Sequence, residues 1–359
     1  METIRAALRS EGRGLVLGDG EPAPETQASP IEALPPRVQA VLATRLGQLS
    51  PPARELAGLA ATIGRAFTFP VLRAAGNGDE DDLVRGLDEL WQRRIVRERG
   101  ADAYDFSHDK LREAAYEALS LARRRLLHRR VAQALETTSA PDPDAIARRR
   151  AVHYERAGLP EQAVPCYLRA GEAANRVFAS DEAEASFRHG LDLLEGGSWS
   201  PDQEAWRREM AAGLYEGLGD TLQANRAEEA RQAYQTALQA QDEEDRLARA
   251  RLQTKIGFGW VGQGQADQAV QAFNLAETLL GPKPFQPLAE WWQRWGDVQF
   301  FRLNAYYTMG RWREMARVLD KLRPIVEQQG AARFRGLYLL NRVVMAMRRD
   351  RYVISDETL

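Results

Sequence analysis

The sequence predicts an all-α-dominated chain: a helical domain that includes a short β-hairpin, followed by an α-solenoid of repeated helix pairs. Three observations carry this expectation. Between residues 34 and 136 several stretches place apolar residues on one helical stripe, and one segment alternates like two short strands around Gly100. From Asp144 onward helical stretches alternate with short breaks, and no strand pattern recurs. Within those stretches a small–aromatic–small signature returns as Ala163-x3-Tyr167-x2-Ala170, Ala183-x3-Phe187-x2-Gly190, Ala230-x3-Tyr234-x2-Ala237 and Ala269-x3-Phe273-x2-Ala276. A weaker form stands at Met315-x3-Leu319-x2-Leu322.

METIRAALRSEG sets Ile4 and Leu8 on one face of a short helix, and GRGLVLGDGEPAPETQASP, with its glycines and prolines, reads as a linker. Residues 1–33 are therefore a helix and linker ahead of the first domain. LPPRVQAVLATRLGQLS lines up Val38, Val41, Leu42, Leu46 and Leu49. PPARELAGLAATIG restarts after Ser50, a capping residue, with prolines in the first turn, where no backbone N–H is needed. DEDDLVRGLDELWQRR opens on acidic residues, which suit the positive end of a helix dipole, and turns Leu83, Leu87 and Leu90 inward. RIVRERGADAYDFSH then predicts a hairpin bearing Ile95, Val96, Tyr104 and Phe106. LREAAYEAL and RRRLLHRRVAQAL close the block as helices. Helices followed by a short hairpin are the layout of a winged-helix domain, here over residues 34–136.

Residues 145–359 read as the repeat region, broken at AGLPE, FASDE, LEGGSWSPDQ, QDEED, GQGQAD, LLGPKPFQPL and MGRW. Small residues flanking one large side chain let adjacent helices approach closely around it. The stretch GFGWVGQGQADQA tests this reading, because Gly257-x-Gly259-x-x-Gly262 has the glycine spacing of a dinucleotide-binding turn. Such a turn needs a hydrophobic strand leading into it. The preceding DRLARARLQTKI is a charged helical segment instead. Gly257, Trp260, Gly264, Ala269, Phe273 and Ala276 match the tetratricopeptide spacing, so the glycines are expected to let two helices touch. The expected product is a tetratricopeptide-like α-solenoid of four or five helix pairs.

Composition excludes several function classes. At 359 residues and 44% apolar content the chain has room for two or three domains with real cores. Its 49 basic and 51 acidic residues leave a formal charge of −2, which gives no global field to draw nucleic acid or an anionic membrane. A single cysteine, Cys166, has no intrachain disulfide partner, which suits a reducing compartment. No apolar run reaches the roughly 20 residues that span a bilayer, and the N-terminus has no apolar signal segment, so a cytoplasmic location with no membrane partner is expected. The only lysines, Lys110, Lys255, Lys283 and Lys321, each follow a residue other than glycine, so the GxxxxGK[ST] phosphate loop does not occur.

Residues 34–136 resemble the winged-helix segment that follows the nucleotide-binding core in bacterial STAND-type, AAA-like regulatory ATPases. The likeness lies in LPPRVQAVLATRLGQLSPPARELAGLAATIGRAFTFPVL, LVRGLDELWQRRIVRERGADAYDFSHDKLREAAYEALS and ARRRLLHRRVAQALE. Residues 145–359 are similar to the tetratricopeptide array that follows it, and METIRAALRSEG is similar to the last helix of the ATPase core. In that family an effector domain precedes the ATPase: a SARP-type or LuxR-type DNA-binding domain, a nucleotide cyclase or a protein kinase. The resemblance implies a signal-transduction or transcription-regulatory protein. Its repeats would bind a protein or small-molecule effector, and its winged helix would couple that event to an upstream ATPase domain. Walker motifs would lie upstream of Met1 and the array would continue past RDRYVISDETL, so the expectation is a piece of a longer protein. ATP is implied for that upstream domain alone, and no cofactor is expected in this chain.

His108-Asp109 in DFSHDKLREAAY is the one dyad that invites a catalytic or metal-binding reading. Metal-dependent phosphohydrolases that use adjacent His and Asp need an earlier His and a later carboxylate as well. His108 is the first histidine, and His128, His153 and His189 lie on separate predicted helices without ligand spacing. The pair is expected to open a helix, with Ser107 or His108 capping and Asp109 facing the dipole. No catalytic, cofactor-binding or metal residue is expected, and no enzyme. RRRLLHRR, Arg123 to Arg130, could meet phosphates as winged helices do. DEDDLVRGLDELWQRR, in the recognition-helix position, instead starts with acidic residues that repel a phosphate backbone, so direct DNA contact is not expected. Trp291, Trp292, Trp295 and Trp312 crowd together in sequence with Phe300, Phe301, Tyr306 and Tyr307. Adjacent residues point about 100° apart on a helix, so these cannot all face inward. Most belong to the inter-helix core, and the candidates for partner contact are Trp291, Trp292, Trp295, Tyr307 and Trp312. Cys166 is expected to be buried on a repeat helix. A free-standing winged-helix DNA-binding regulator and a repeat adaptor without an ATPase are the alternatives.

Overall fold

The computed structural model describes residues 36–100, 102–138, 144–284, 289–329 and 332–349. The expected helix and linker over residues 1–33 lie outside these. The chain divides into two compact units, Met1–Leu159 and Pro160–Leu359.

In the first unit, α1 (Pro36–Gly47) and α2 (Pro51–Ile63) are followed by β1 (Ala66–Thr68), α3 (Phe69–Ala75) and α4 (Glu80–Gln92). Then come β2 (Val96–Glu98), β3 (Ala103–Phe106), α5 (Asp109–Glu117), α6 (Leu121–Thr138) and α7 (Ala147–Arg156). Local chemistry sets the helix starts. The Ser50 hydroxyl accepts from the Ala53 amide at 3.3 Å and donates to Glu89 Oε2 at 2.6 Å, so one side chain caps α2 and ties it to α4. Asp79 caps α4 by accepting from Glu80 N, and Glu80, Asp81 and Asp82 occupy its first turn. The expected Leu83, Leu87 and Leu90 are buried on α4, and Leu42, Leu46 and Leu49 lie inside beside α2. Val41 departs from its expected place: one residue round the helix from Leu42, it faces out at 58% exposure.

The hairpin forms around Gly100, at φ +98, and is one part of a three-stranded antiparallel sheet ordered β1-β3-β2. Phe67 pairs with Tyr104 in register, Val96 with Phe106, and the Phe67 ring stacks on Tyr104 at 5.8 Å. The sequence pattern misses β1 because three residues are too few to display alternation. On the central strand, Asp105 is buried and accepts from Arg97 Nε at 2.6 Å and Nη2 at 3.0 Å. Leu56, Leu72, Leu90, Ile95, Phe106, Leu111 and Val131 form one core among the helices and sheet.

The expected boundary at 145 assigns the α7 segment to the repeats, whereas α7 packs in the first unit against α6. Buried His128 and His153 meet across that contact, and Arg150 pairs with Glu136 at 3.0 Å.

The second unit is helical throughout its described residues: α8 (Pro160–Arg176), α9 (Ser180–Gly196), a 3-10 turn (Pro201–Gln203), α10 (Glu204–Leu222), α11 (Ala227–Ala240) and α12 (Arg246–Gly262), then α13 (Ala266–Leu280), α14 (Ala289–Thr308), α15 (Trp312–Gln329) and α16 (Ala332–Arg349). Each helix packs on the next, and α10 also on α8 and α14 on α12, which is the contact pattern of stacked helix pairs. The pairs are α8–α9, α10–α11, α12–α13 and α14–α15, with α16 packed on α15. The α10–α11 turn at Gln223–Arg226 carries no glycine or proline, so no local signal in the sequence marks it.

Candidate functional site

The array is the candidate site, and its residues build it from the inside outward. Every member of the signature is buried, from Ala163, Tyr167 and Ala170 through Ala269, Phe273 and Ala276 to Met315, Leu319 and Leu322. The glycine of the leading helix faces the aromatic of the following one. A Cβ on Gly257 would stand 2.5 Å from Phe273 Cε1, so only glycine lets α12 and α13 close at that point. Gly219 meets the Tyr234 ring between α10 and α11 in the same way, and Gly171 and Gly217 both meet Phe187 of α9. Gly257, Gly259 and Gly262 thus lie within or at the end of a helix, as the absence of a preceding strand predicts. The Ala163 signature differs from the rest in lying on α8, the leading helix of its pair.

Polar side chains then join successive pairs. Arg226 reaches Glu184, Gln263 donates to Glu228 at 3.1 Å and Arg311 pairs with Asp267 at 2.8 Å, so each intra-pair turn reaches back to the trailing helix of the pair before it. Glu216 of α10 accepts from Arg251 and Lys255 of α12 at 2.8 and 2.7 Å. Lys255 also meets Asp220, which accepts from the Tyr234 hydroxyl at 2.9 Å. Desolvation pushes the Glu216 carboxyl up, but the charges of Lys255 and Arg251 together outweigh it and hold it below the usual carboxylate range. Burial, followed by the Asp220 charge, pushes the Tyr234 phenol far up, so it stays a donor. A second cluster follows two helices on. Glu277 of α13 accepts from Arg302 of α14 and Lys321 of α15, each at 2.8 Å, and Arg302 is also held by Gln299 and Asn274.

The aromatic residues flagged in the sequence separate by burial. Trp291 and Trp295 are core residues at 6% and 7% exposure, stacked at 6.3 Å, and the Trp291 indole donates to Leu280 O. Trp292 stands perpendicular to Trp295 at 5.8 Å and is half-buried. The Lys283 ammonium lies over its ring, 5.0 Å from the centroid. With Gly296, Phe300 and Phe334 the two indoles line a small apolar cavity closed by α15. Tyr307 is half-buried and Trp312 is exposed at 40%. Phe301 packs on Phe258 at 4.9 Å, joining α14 to α12.

His108 occupies the N-cap position of α5 without a side-chain cap bond, and Asp109 pairs with Arg65 at 3.0 Å on the surface. Ser107 donates to Ile95 O instead of capping α5. Among the described residues no group of three or more His, Cys, Asp or Glu is placed to hold a metal ion. Arg123 pairs with Glu55, and Arg124 donates to the carbonyls of Tyr116 and Glu117 that end α5. Cys166 is buried on α8, as expected. The residues that sequence reasoning missed are His128 and His153, separated by 25 positions and joined Nδ1 to Nδ1 at 2.8 Å. Their only local signal is that both fall on the inner stripe of an arginine-rich helix.

No family model matches the chain. An uncharacterized protein of Rhizobium meliloti (strain 1021) is 32% identical over 259 residues, covering 67% of this chain. The chain matches 24% of that protein's length, about a quarter. The crystal structure of a signal transduction ATPase with numerous domains and a tetratricopeptide repeat sensor, from Pyrococcus horikoshii, covers 89% of this chain and 63% of its own at 10% identity and a TM-score of 0.33. Among the described residues no helix is long and apolar enough to cross a membrane.

Proposed function

We propose that this chain is the recognition and relay part of a STAND-type signal-transduction protein and performs no chemistry of its own. The observation that carries the reading is the regular seating of a ring against a glycine in consecutive helix pairs, which builds an extended wall suited to a partner. The order α2-β1-α3-α4-β2-β3, with the last two strands as a hairpin, supports a winged-helix assignment for the first unit. Acidic Glu80, Asp81 and Asp82 open α4, and Arg123 and Arg124 are engaged internally, which favours a protein-facing role over DNA contact. In this reading Trp312, Tyr307 and Trp292 contact a protein or small effector, while Trp291 and Trp295 hold the wall beneath them. The winged helix passes the event to an ATPase domain of a longer protein, where ATP would bind, and regulatory output such as transcription follows from that domain.

Equilibrium dialysis of the purified chain against ATP tests the division of labour, and no saturable binding is expected. Tight ATP binding would overturn the reading. So would duplex DNA binding that weakens steeply with salt and survives deletion of residues 160–359.

A further inference from the structure

Three side chains from three helices of the first unit stand in single file. The Tyr116 hydroxyl on α5 lies 2.8 Å from His128 Nε2 on α6, and His128 Nδ1 lies 2.8 Å from His153 Nδ1 on α7. His128 is 1% exposed and His153 6%. The two imidazoles are tilted at 43° with centroids 5.1 Å apart, so the contact is edge-on through the nitrogens rather than a stack.

Proton counting fixes what this file tolerates. A neutral imidazole has one N–H and one bare nitrogen, so one Nδ1 must donate and the other accept. Each gap then holds a single proton, whichever direction the file runs. One added proton can still be shared between the rings, whereas a second forces N–H against N–H across 2.8 Å and breaks the contact.

The surroundings oppose even the first. Arg124 of α6 lies 4.7 Å over the Tyr116 ring, and Arg149 and Arg156 of α7 flank His153 by a turn on either side. The charges that bear on the pair are Arg124, Arg149 and Arg156, all cationic. The buried faces of α2 and α3, which pack on α6, carry no ionisable side chain. Burial first and the arginines after it pull His128 down to about 4, and burial, then His128 and the arginines, holds His153 well below its ordinary value.

We propose that Tyr116, His128 and His153 form an acid-released latch that holds α7 against α5 and α6. The native imidazoles bind protons less readily than the unfolded ones. The latch is therefore fully closed above the unfolded histidine value of 6.5 and is lost as pH falls from there through about 4. Within that window each histidine shifts the closed-to-open ratio by up to about tenfold per pH unit, and the pair by up to about a hundredfold. The Glu136–Arg150 ion pair also bridges α6 and α7, at 3.0 Å.

Hydrogen exchange of the full chain at pH 7 and pH 5, corrected for intrinsic amide rates, tests the latch. Protection of α7 amides is expected to fall at least about tenfold more than that of α2 amides, and His153→Gln should remove the difference. An equal loss in both helices overturns the proposal. NMR titration of the wild-type histidines needs no variant: midpoints well below 6.5 for two of the four are expected, and four midpoints near 6.5 would also overturn it.

Discussion

A single residue decides how two helices meet. Gly257→Val puts branched carbons where the Phe273 ring already lies, and overpacking of this kind costs about 1–3 kcal/mol. Thermal denaturation should show a lower Tm for that variant. Gly262, with nothing within 4 Å of its added Cβ, is the control, and Gly262→Ala should match or exceed the parent. The helix ends supply a second case. Leu159, Gln265 and Arg311 each donate to a carbonyl five residues back across a left-handed glycine: Gly158, Gly264 or Gly310. At the α8–α9 turn the same 6→1 bond, Ala179 N to Ala174 O, closes over Phe178 at φ +60. The Phe178 ring is 91% exposed and contributes little burial to offset that conformation. Phe178→Gly is expected to stabilise the chain by about 1 kcal/mol, and chemical denaturation giving a loss instead would show that the ring has a partner within the chain.

At the level of elements, capping and pairing bind α2 to α4. The Ser50 hydroxyl and then the Ser50 amide hold the Glu89 carboxyl below its ordinary value of 4.5. Its contribution is therefore present above about pH 4.5 and is lost as pH falls through the lowered native value. Glu89→Gln should cost up to about 1 kcal/mol at pH 7 and progressively less as pH falls below 4.5, so the urea midpoints of the two proteins should converge on acidification. Ser50→Ala should cost about 1–2 kcal/mol, since it removes both the cap and the link. These elements were legible because their signals are local. Ser50 before paired prolines and acidic residues ahead of Leu83 act within one turn. Strand β1 was not, because Ala66–Thr68 is a strand only through its pairing with Tyr104 and its neighbours.

At the level of the whole molecule, the array is a chain of neighbours, so damage should stay local. Tyr234→Ala empties the joint between α10 and α11 and removes the donor to Asp220. Hydrogen exchange should rise through α10, α11 and α12 while amides of α2 and α4 in the first unit keep their protection. A uniform loss across both units would mean that the chain unfolds as one body.

The amino-acid sequence by itself determined the helices, the Gly100 hairpin and the recurring small–aromatic–small faces, because spacing, caps and turn glycines act over one or two turns. Tertiary structure alone decided that Gly257 faces Phe273, that Glu216 gathers Arg251 and Lys255 from 35 or more positions away, and that His128 and His153 meet nitrogen to nitrogen. It also decided that α7 closes the first unit and that Trp291 and Trp295 lie inside while Trp312 lies out. The physical reason is range. Periodicity states which face of a helix is apolar, but which partner covers that face depends on how the helices pack, and packing joins residues that no local pattern connects.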